Sequence, residues 1–113
     1  MKSDDALLLD MLLASREAVE FCTGMSLGQF GEDRRTQLAV MHCIQIIGAA
    51  RVGEDSRKEL TTIPWAQIVG LRHRLVHDYG HIDLGILWEI VRKDLPELVG
   101  TLAVVVPGEE ELE

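Results

Sequence analysis

The stretch Arg72-His73-Arg74-Leu75-Val76-His77-Asp78-Tyr79 puts a permanent cation, a titratable base and a phenol within eight residues. It follows an apolar run, Pro64 to Leu71, that reads as a helix, and it precedes Asp83, which reads as the start of another. A guanidinium presents phosphate oxygens with a planar fork of donors. An imidazole is the side chain best poised to move a proton near neutral pH. A cation and an imidazole delivered together at a helix end therefore suit a phosphate-bearing ligand.

Arg72 and His77 are five residues apart. On a continuous helix that spacing separates them by about 140°. They meet in one of two ways: the helix ends near Val76 and His77 turns back, or two chains contribute to one shared site. The plainer alternative is that Arg72 caps a helix terminus and His77 makes a structural hydrogen bond. His73, His77 and His81 recur every four residues, and Asp78 and Asp83 could add carboxylates, but Gly80 should end the helix before His81 and no Cys lies nearby. A metal site is therefore not expected. His42 reads as a surface or satisfied histidine, and Trp65 and Trp88 as core. Neither a phosphate-binding glycine loop, a dinucleotide fingerprint nor a nucleophile elbow occurs.

The 113 residues suit one domain, and 47% hydrophobic residues suffice for a core. The longest apolar stretches, Ala6–Leu9 and Leu102–Val106, fall far short of the ~20 residues that cross a bilayer. The acidic start, Met1 to Asp5, is wrong for a signal peptide. Cys22 and Cys43 sit within apolar periodic segments and read as buried thiols, so a cytoplasmic location is expected. The net charge of −8 excludes a protein that coats nucleic acid through a broad basic surface. The charge is uneven, however. Between Arg72 and Lys93 there are four Lys or Arg, three acids and three His, which leaves room for a localised phosphate site.

The elements that must position these residues are helical. Ser3-Asp4-Asp5 opens a helix to about Cys22, stopped by Gly24. Ser26 and Gln29 have capping-box spacing and open a single turn. A second long helix spans about Glu32 to Arg51, with Leu38, Met41, Ile44, Gln45, Gly48 and Val52 as its stripe, and Gly48-Ala49-Ala50 lets another backbone come close. Residues 53–62 read as a polar loop. Pro64 begins a third helix carrying Trp65, Ile68, Val69, Arg72, Leu75 and Val76. Asp83 caps a fourth, which Pro96 breaks or kinks, leaving a short fifth helix over Leu98 to Val105, although Val104-Val105-Val106 would also suit a strand. The pattern describes an all-α domain over residues 1–106, an up-and-down four-helix bundle with a short fifth helix. Wide apolar stripes predict a homodimer. Residues 107–113 are expected to form a disordered acidic tail.

Several blocks together resemble the HepT-like family of HEPN-domain proteins. They are Ile63-Pro64-Trp65, Ile68 to Arg72, Arg74 to Tyr79, Ile82-Asp83-Leu84, Leu87-Trp88, Val91 and Asp94-Leu95-Pro96, with Thr36 to Val40 and Ile46 to Ala50 upstream. The resemblance covers roughly residues 4–100 and includes the R-x4-H-x-Y element. It implies a dimerising helical bundle in which the motifs of both chains face a shared cleft. It further implies a metal-independent, cofactor-free endoribonuclease, the toxin of a type VII toxin–antitoxin pair, with RNA as substrate and a small nucleotidyltransferase antitoxin as partner. By position, Arg72 and His77 are then the catalytic pair and Tyr79 the tyrosine that the antitoxin adenylylates, with His73 and Asp78 auxiliary. The residue after the motif Arg is usually Asn; here it is His73, which can replace the polar contact or add a second base. A competing expectation is a non-catalytic module of the same shape that docks a nucleotidyltransferase or a nucleotide, which the acidic net charge favours.

Overall fold

Ser3 opens the first helix, α1 (Asp4–Phe21): its hydroxyl accepts the Ala6 N–H at 3.2 Å, while Asp4 and Asp5 set negative charge beside the free N–H groups. The computed structural model describes residues 3–77 and 82–106, with the backbone alone at 74, 76 and 77. Leu8, Met11, Leu12, Ser15 and Ala18 form the buried stripe of α1. The Ser15 hydroxyl donates to the Met11 carbonyl at 2.7 Å, so its burial leaves no polar group unsatisfied. Gly24, at φ +80°, turns the chain after α1.

The expected capping box is present at α2 (Leu27–Glu32). Ser26 Oγ accepts the Gln29 N–H at 3.1 Å, and Gln29 Oε1 accepts the Ser26 N–H at 2.9 Å. The short helix turns Phe30 inward against the Trp88 ring, with centroids 5.1 Å apart. Asp33 then caps α3 (Arg34–Ala49), accepting from the Thr36 N–H at 3.0 Å. Buried Gln37 donates to the carbonyls of Phe30 and Gly31 at 2.9 and 3.1 Å, which ties α2 to α3.

Three expectations are corrected. The stripe of α3 is Gln37, Val40, Met41, Cys43, Ile44 and Ile47, whereas Leu38 is exposed. The loop expected over residues 53–62 contains a helix, α4 (Glu54–Glu59). It is held from far away in the sequence: the Asp4 carboxylate accepts from the Gly53 N–H at 3.0 Å and from the Ser56 hydroxyl at 2.7 Å. The third correction concerns the last helical run. Asp83 caps α6 (Leu84–Glu89) as expected, accepting from the N–H groups of Gly85 and Ile86 at 2.7 and 3.2 Å. Pro96 does not break the run. A π-helical turn, Ile90–Asp94, joins α6 directly to α7 (Leu95–Val105), with the Leu95 N–H donating to the Ile90 carbonyl. Pro96 has no N–H for the usual bond and its ring crowds the preceding turn; widening that turn accommodates both. Val104 and Val105 are accordingly helical.

Between α4 and α6 runs α5 (Trp65–His77). Its start is anchored by Trp65, whose Nε1 donates to the Leu60 carbonyl at 3.0 Å and whose ring lies 5.3 Å below the Arg57 guanidinium. The described residues are all-helical and contain no strand. α1 packs on α3 and α7, α3 packs on α5, and α2 bridges α3 and α6. Met11, Ala18, Phe30, Val40, Leu87 and Leu102 have no exposed surface and mark the centre of the core. Residues 107–113, expected as an acidic tail, lie outside the described residues.

Candidate active site

Helix α5 carries the site, and its position is set by its apolar side. Ile68 and Leu75 are buried, and Leu71 and Leu75 meet Ile44 of α3 and Ile82, Ile86, Leu87 and Ile90 of the last helical run. Val69, expected on this stripe, is instead exposed. On the same side of α5, one turn on from Ile68, Arg72 meets α3. The Arg72 stem crosses Gly48: a Cβ added to Gly48 would overlap Arg72 Cβ and stand 3.1 and 3.2 Å from its Cγ and Cδ. The close backbone approach expected at Gly48-Ala49-Ala50 is therefore this crossing, and it directs an exposed arginine along the α3–α5 seam.

His77 is the last described residue of α5. The helix stays regular from Arg72 to His77, so within one chain their backbone positions remain about 140° apart and about 7.5 Å apart along the axis. Asp78 and Tyr79, with Gly80 and His81, lie outside the described residues.

His73, next to Arg72, is exposed and shares the rim of a cleft of about 500 Å³ with Pro64, Gln67 and Gly70 of the α5 segment and Asp94, Leu95 and Leu98 of the last helical run. Gln67 was not among the residues singled out from the sequence, and Asp94 entered only within a block that carries the family resemblance. Asp94 ends the π turn, and nothing local in the sequence marks such a turn beyond the proline two residues on.

Other candidates take structural roles. Asp83 caps α6. Among the described residues no three His, Cys, Asp or Glu side chains gather as a metal site. His42 is exposed on α3, and Trp88 is half-buried against Phe30, with the Arg92 guanidinium 5.4 Å over its ring. Cys22 and Cys43 are buried free thiols; burial pushes the Cys22 thiol up and the Cys43 thiol up to about 11. Neither is a ready nucleophile at neutral pH. No described helix is long and apolar enough to cross a membrane.

Comparison with known proteins agrees with the resemblance. The family model described as "Ribonuclease HepT-like" matches residues 11–105. A Methanocaldococcus jannaschii protein named as a candidate RNase is 32% identical over 102 residues, spanning 88% of this chain and 94% of its own. The "Probable ribonuclease HepT" of Thermococcus cleftensis is 32% identical over 83 residues, covering 72% of this chain and 76% of its own. A Caldanaerobacter subterraneus protein, also named as a candidate RNase, is 30% identical over 100 residues, covering 87% and 89%. No solved structure matches the chain.

Proposed function

We propose that this chain, which belongs to the HepT-like ribonuclease family, cleaves RNA without a metal at a site shared between two copies of itself. The observation that carries the shared site is the regular course of α5 through His77. Five residues of regular helix keep Arg72 and His77 of one chain about 140° apart in register, so Arg72 of one protomer pairs with His77 of the partner subunit. Exposed Leu38 and Ile46 on α3 and exposed Val69 on α5 supply apolar surface for such a pairing on the two helices that carry and seat Arg72. In this reading residues 1–106 form one up-and-down, HEPN-like bundle with the acidic residues 107–113 as an appendage.

The chemistry follows from the two groups. His77 accepts the proton of the RNA 2′-hydroxyl as that oxygen attacks the neighbouring phosphorus. The bond from phosphorus to the 5′-oxygen breaks, and the leaving oxygen takes up a proton from His77, directly or through solvent, which returns His77 to its starting state. Arg72 stabilises the extra negative charge on the five-coordinate phosphate. The products are a 2′,3′-cyclic phosphate end and a free 5′-hydroxyl. Because the nucleophile belongs to the substrate, no metal is required.

The chain then acts as the toxin of a toxin–antitoxin pair in the cytoplasm. Its partner, a small nucleotidyltransferase antitoxin, silences it by adenylylating Tyr79; AMP there adds bulk and negative charge where RNA phosphate sits. His73 and Asp78 are auxiliary positions beside the pair. The second reading, a binding module without catalysis, draws its support from the net charge of −8. Incubating the purified chain with RNA in EDTA separates the two. Cutting to cyclic-phosphate ends, lost in Arg72→Ala and His77→Ala variants that keep their helical signal, supports the ribonuclease; intact RNA, or variants that cut as well as the parent, overturns it.

A further inference from the structure

Apart from His73 on its rim, the cleft between α5 and the last helical run has no part in the reaction described above. Its floor is apolar, with Ile68, Leu95 and Leu98 buried. Its volume, about 500 Å³, lies in the size range of small-ligand sites, roughly 300–1,000 Å³. Three polar side chains line it, Gln67 and His73 from α5 and Asp94 from the π turn, and no hydrogen bond or ion pair among the described residues engages Gln67 or Asp94. Turns of the π type depart from the regular helix ladder and recur at functional sites.

We propose that this cleft receives one unstacked base of the RNA substrate and that Asp94 selects guanine. The inference rests on the ribonuclease reading and adds the subsite that reads sequence. Single-stranded RNA is recognised by splayed bases held on flat surfaces and hydrogen-bonded along their Watson–Crick edges. The apolar floor suits a base face and disfavours a phosphate, as does the Asp94 carboxylate. Guanine presents two adjacent donors, N1–H and the exocyclic amine, which a carboxylate accepts together. Cytosine and adenine each set a ring-nitrogen acceptor beside their single donor group, and uracil flanks its one donor with two carbonyls, so each puts a lone pair against the carboxylate. The Gln67 amide offers a donor for the remaining carbonyl edge. His73 stands on the rim of this cleft and adjoins Arg72 in the chain, so a base held here belongs to a nucleotide beside the reacting phosphate.

The test has two arms. In the first, ¹⁵N-labelled full chain is titrated with the 5′-monophosphates of guanosine, adenosine, cytidine and uridine. Guanosine monophosphate should shift the amides of Gly70, Leu71, Leu95 and Leu98 with at least about tenfold higher affinity than the other three, the loss expected for one good bidentate pair, and Asp94→Asn should abolish that preference. Equal response to all four nucleotides, no response, or the same amides moving with protein concentration alone, as they would if a second copy filled the cleft, overturns the proposal. In the second arm, RNA cut ends are sequenced. Cuts clustered beside guanosine in the parent, and dispersed in Asp94→Asn, support it. Cutting without base preference overturns the guanine site while the ribonuclease reading stands. Selective guanosine binding by a protein that cuts no RNA supports the site and overturns the reaction.

Discussion

Gly48 of α3 lies directly against the side-chain stem of Arg72 of α5, with no room for a methyl group between them. The arginine that the motif singles out is thus seated by a missing side chain on another helix. Substituting Ala at Gly48 must push α5 away or swing Arg72 off the seam. Such overpacking costs about 1–3 kcal/mol. Gly48→Ala should lower the denaturant midpoint and reduce RNA cleavage more than the loss of folded protein explains. Gly100→Ala is the control: it is an exposed position in α7 with open space around its Cβ, and alanine there should stabilise the helix by about 0.5–1 kcal/mol. Equal effects of the two substitutions on cleavage would show that the seating of Arg72 has no bearing on activity.

A shared site makes a quantitative prediction about mixed dimers. Arg72→Ala and His77→Ala should each be inactive alone. Unfolded together and refolded as a mixture, they should recover about a quarter of parental activity, because half the dimers are mixed and each mixed dimer holds one intact pair. A site built within one chain recovers nothing, and the assay of the mixture tells the two apart.

The clasp between Asp4 and the α4 turn should respond to acid. The Ser56 hydroxyl, then the Gly53 N–H, hold the Asp4 carboxyl below its usual value. A lowered folded-state value means the stabilisation is complete above the ordinary carboxylate value, about 3.9, and fades as pH falls through the lower folded value. Asp4→Ala should therefore melt below the parent at pH 7, and the gap should close in strongly acidic buffer. A gap that persists unchanged at low pH would assign the clasp to packing.

The cysteines should be silent in the native protein. Cys43, with its thiol pushed up to about 11, and Cys22, raised by burial, are both inside the core. An aromatic disulfide reagent at pH 8 should label neither until denaturant is added. Rapid native labelling would mean the core opens locally near α1 and α3.

The helix starts at Ser3, Ser26 and Asp83 could be read directly from the chain, because a cap joins residues two or three apart and needs nothing else. The Arg72-to-Tyr79 motif is likewise local, and its residue types and spacing are what the proposed phosphate chemistry rests on. What needed the tertiary structure was every feature that depends on a distant neighbour. Helix α4 is held by Asp4, on the far side of α1 and α3 in sequence. Leu38 and Val69 fit an apolar period yet face outward, because periodicity defines a stripe but not which edge of it meets the next helix. Pro96 carries a rule against helices, and a widened turn set among packed neighbours accommodates it. The seat of Arg72 on Gly48 and the cleft beneath Asp94 are relations between helices brought together by burial, and burial is a property of the folded whole: local sequence writes the elements, and packing decides which of their side chains meet.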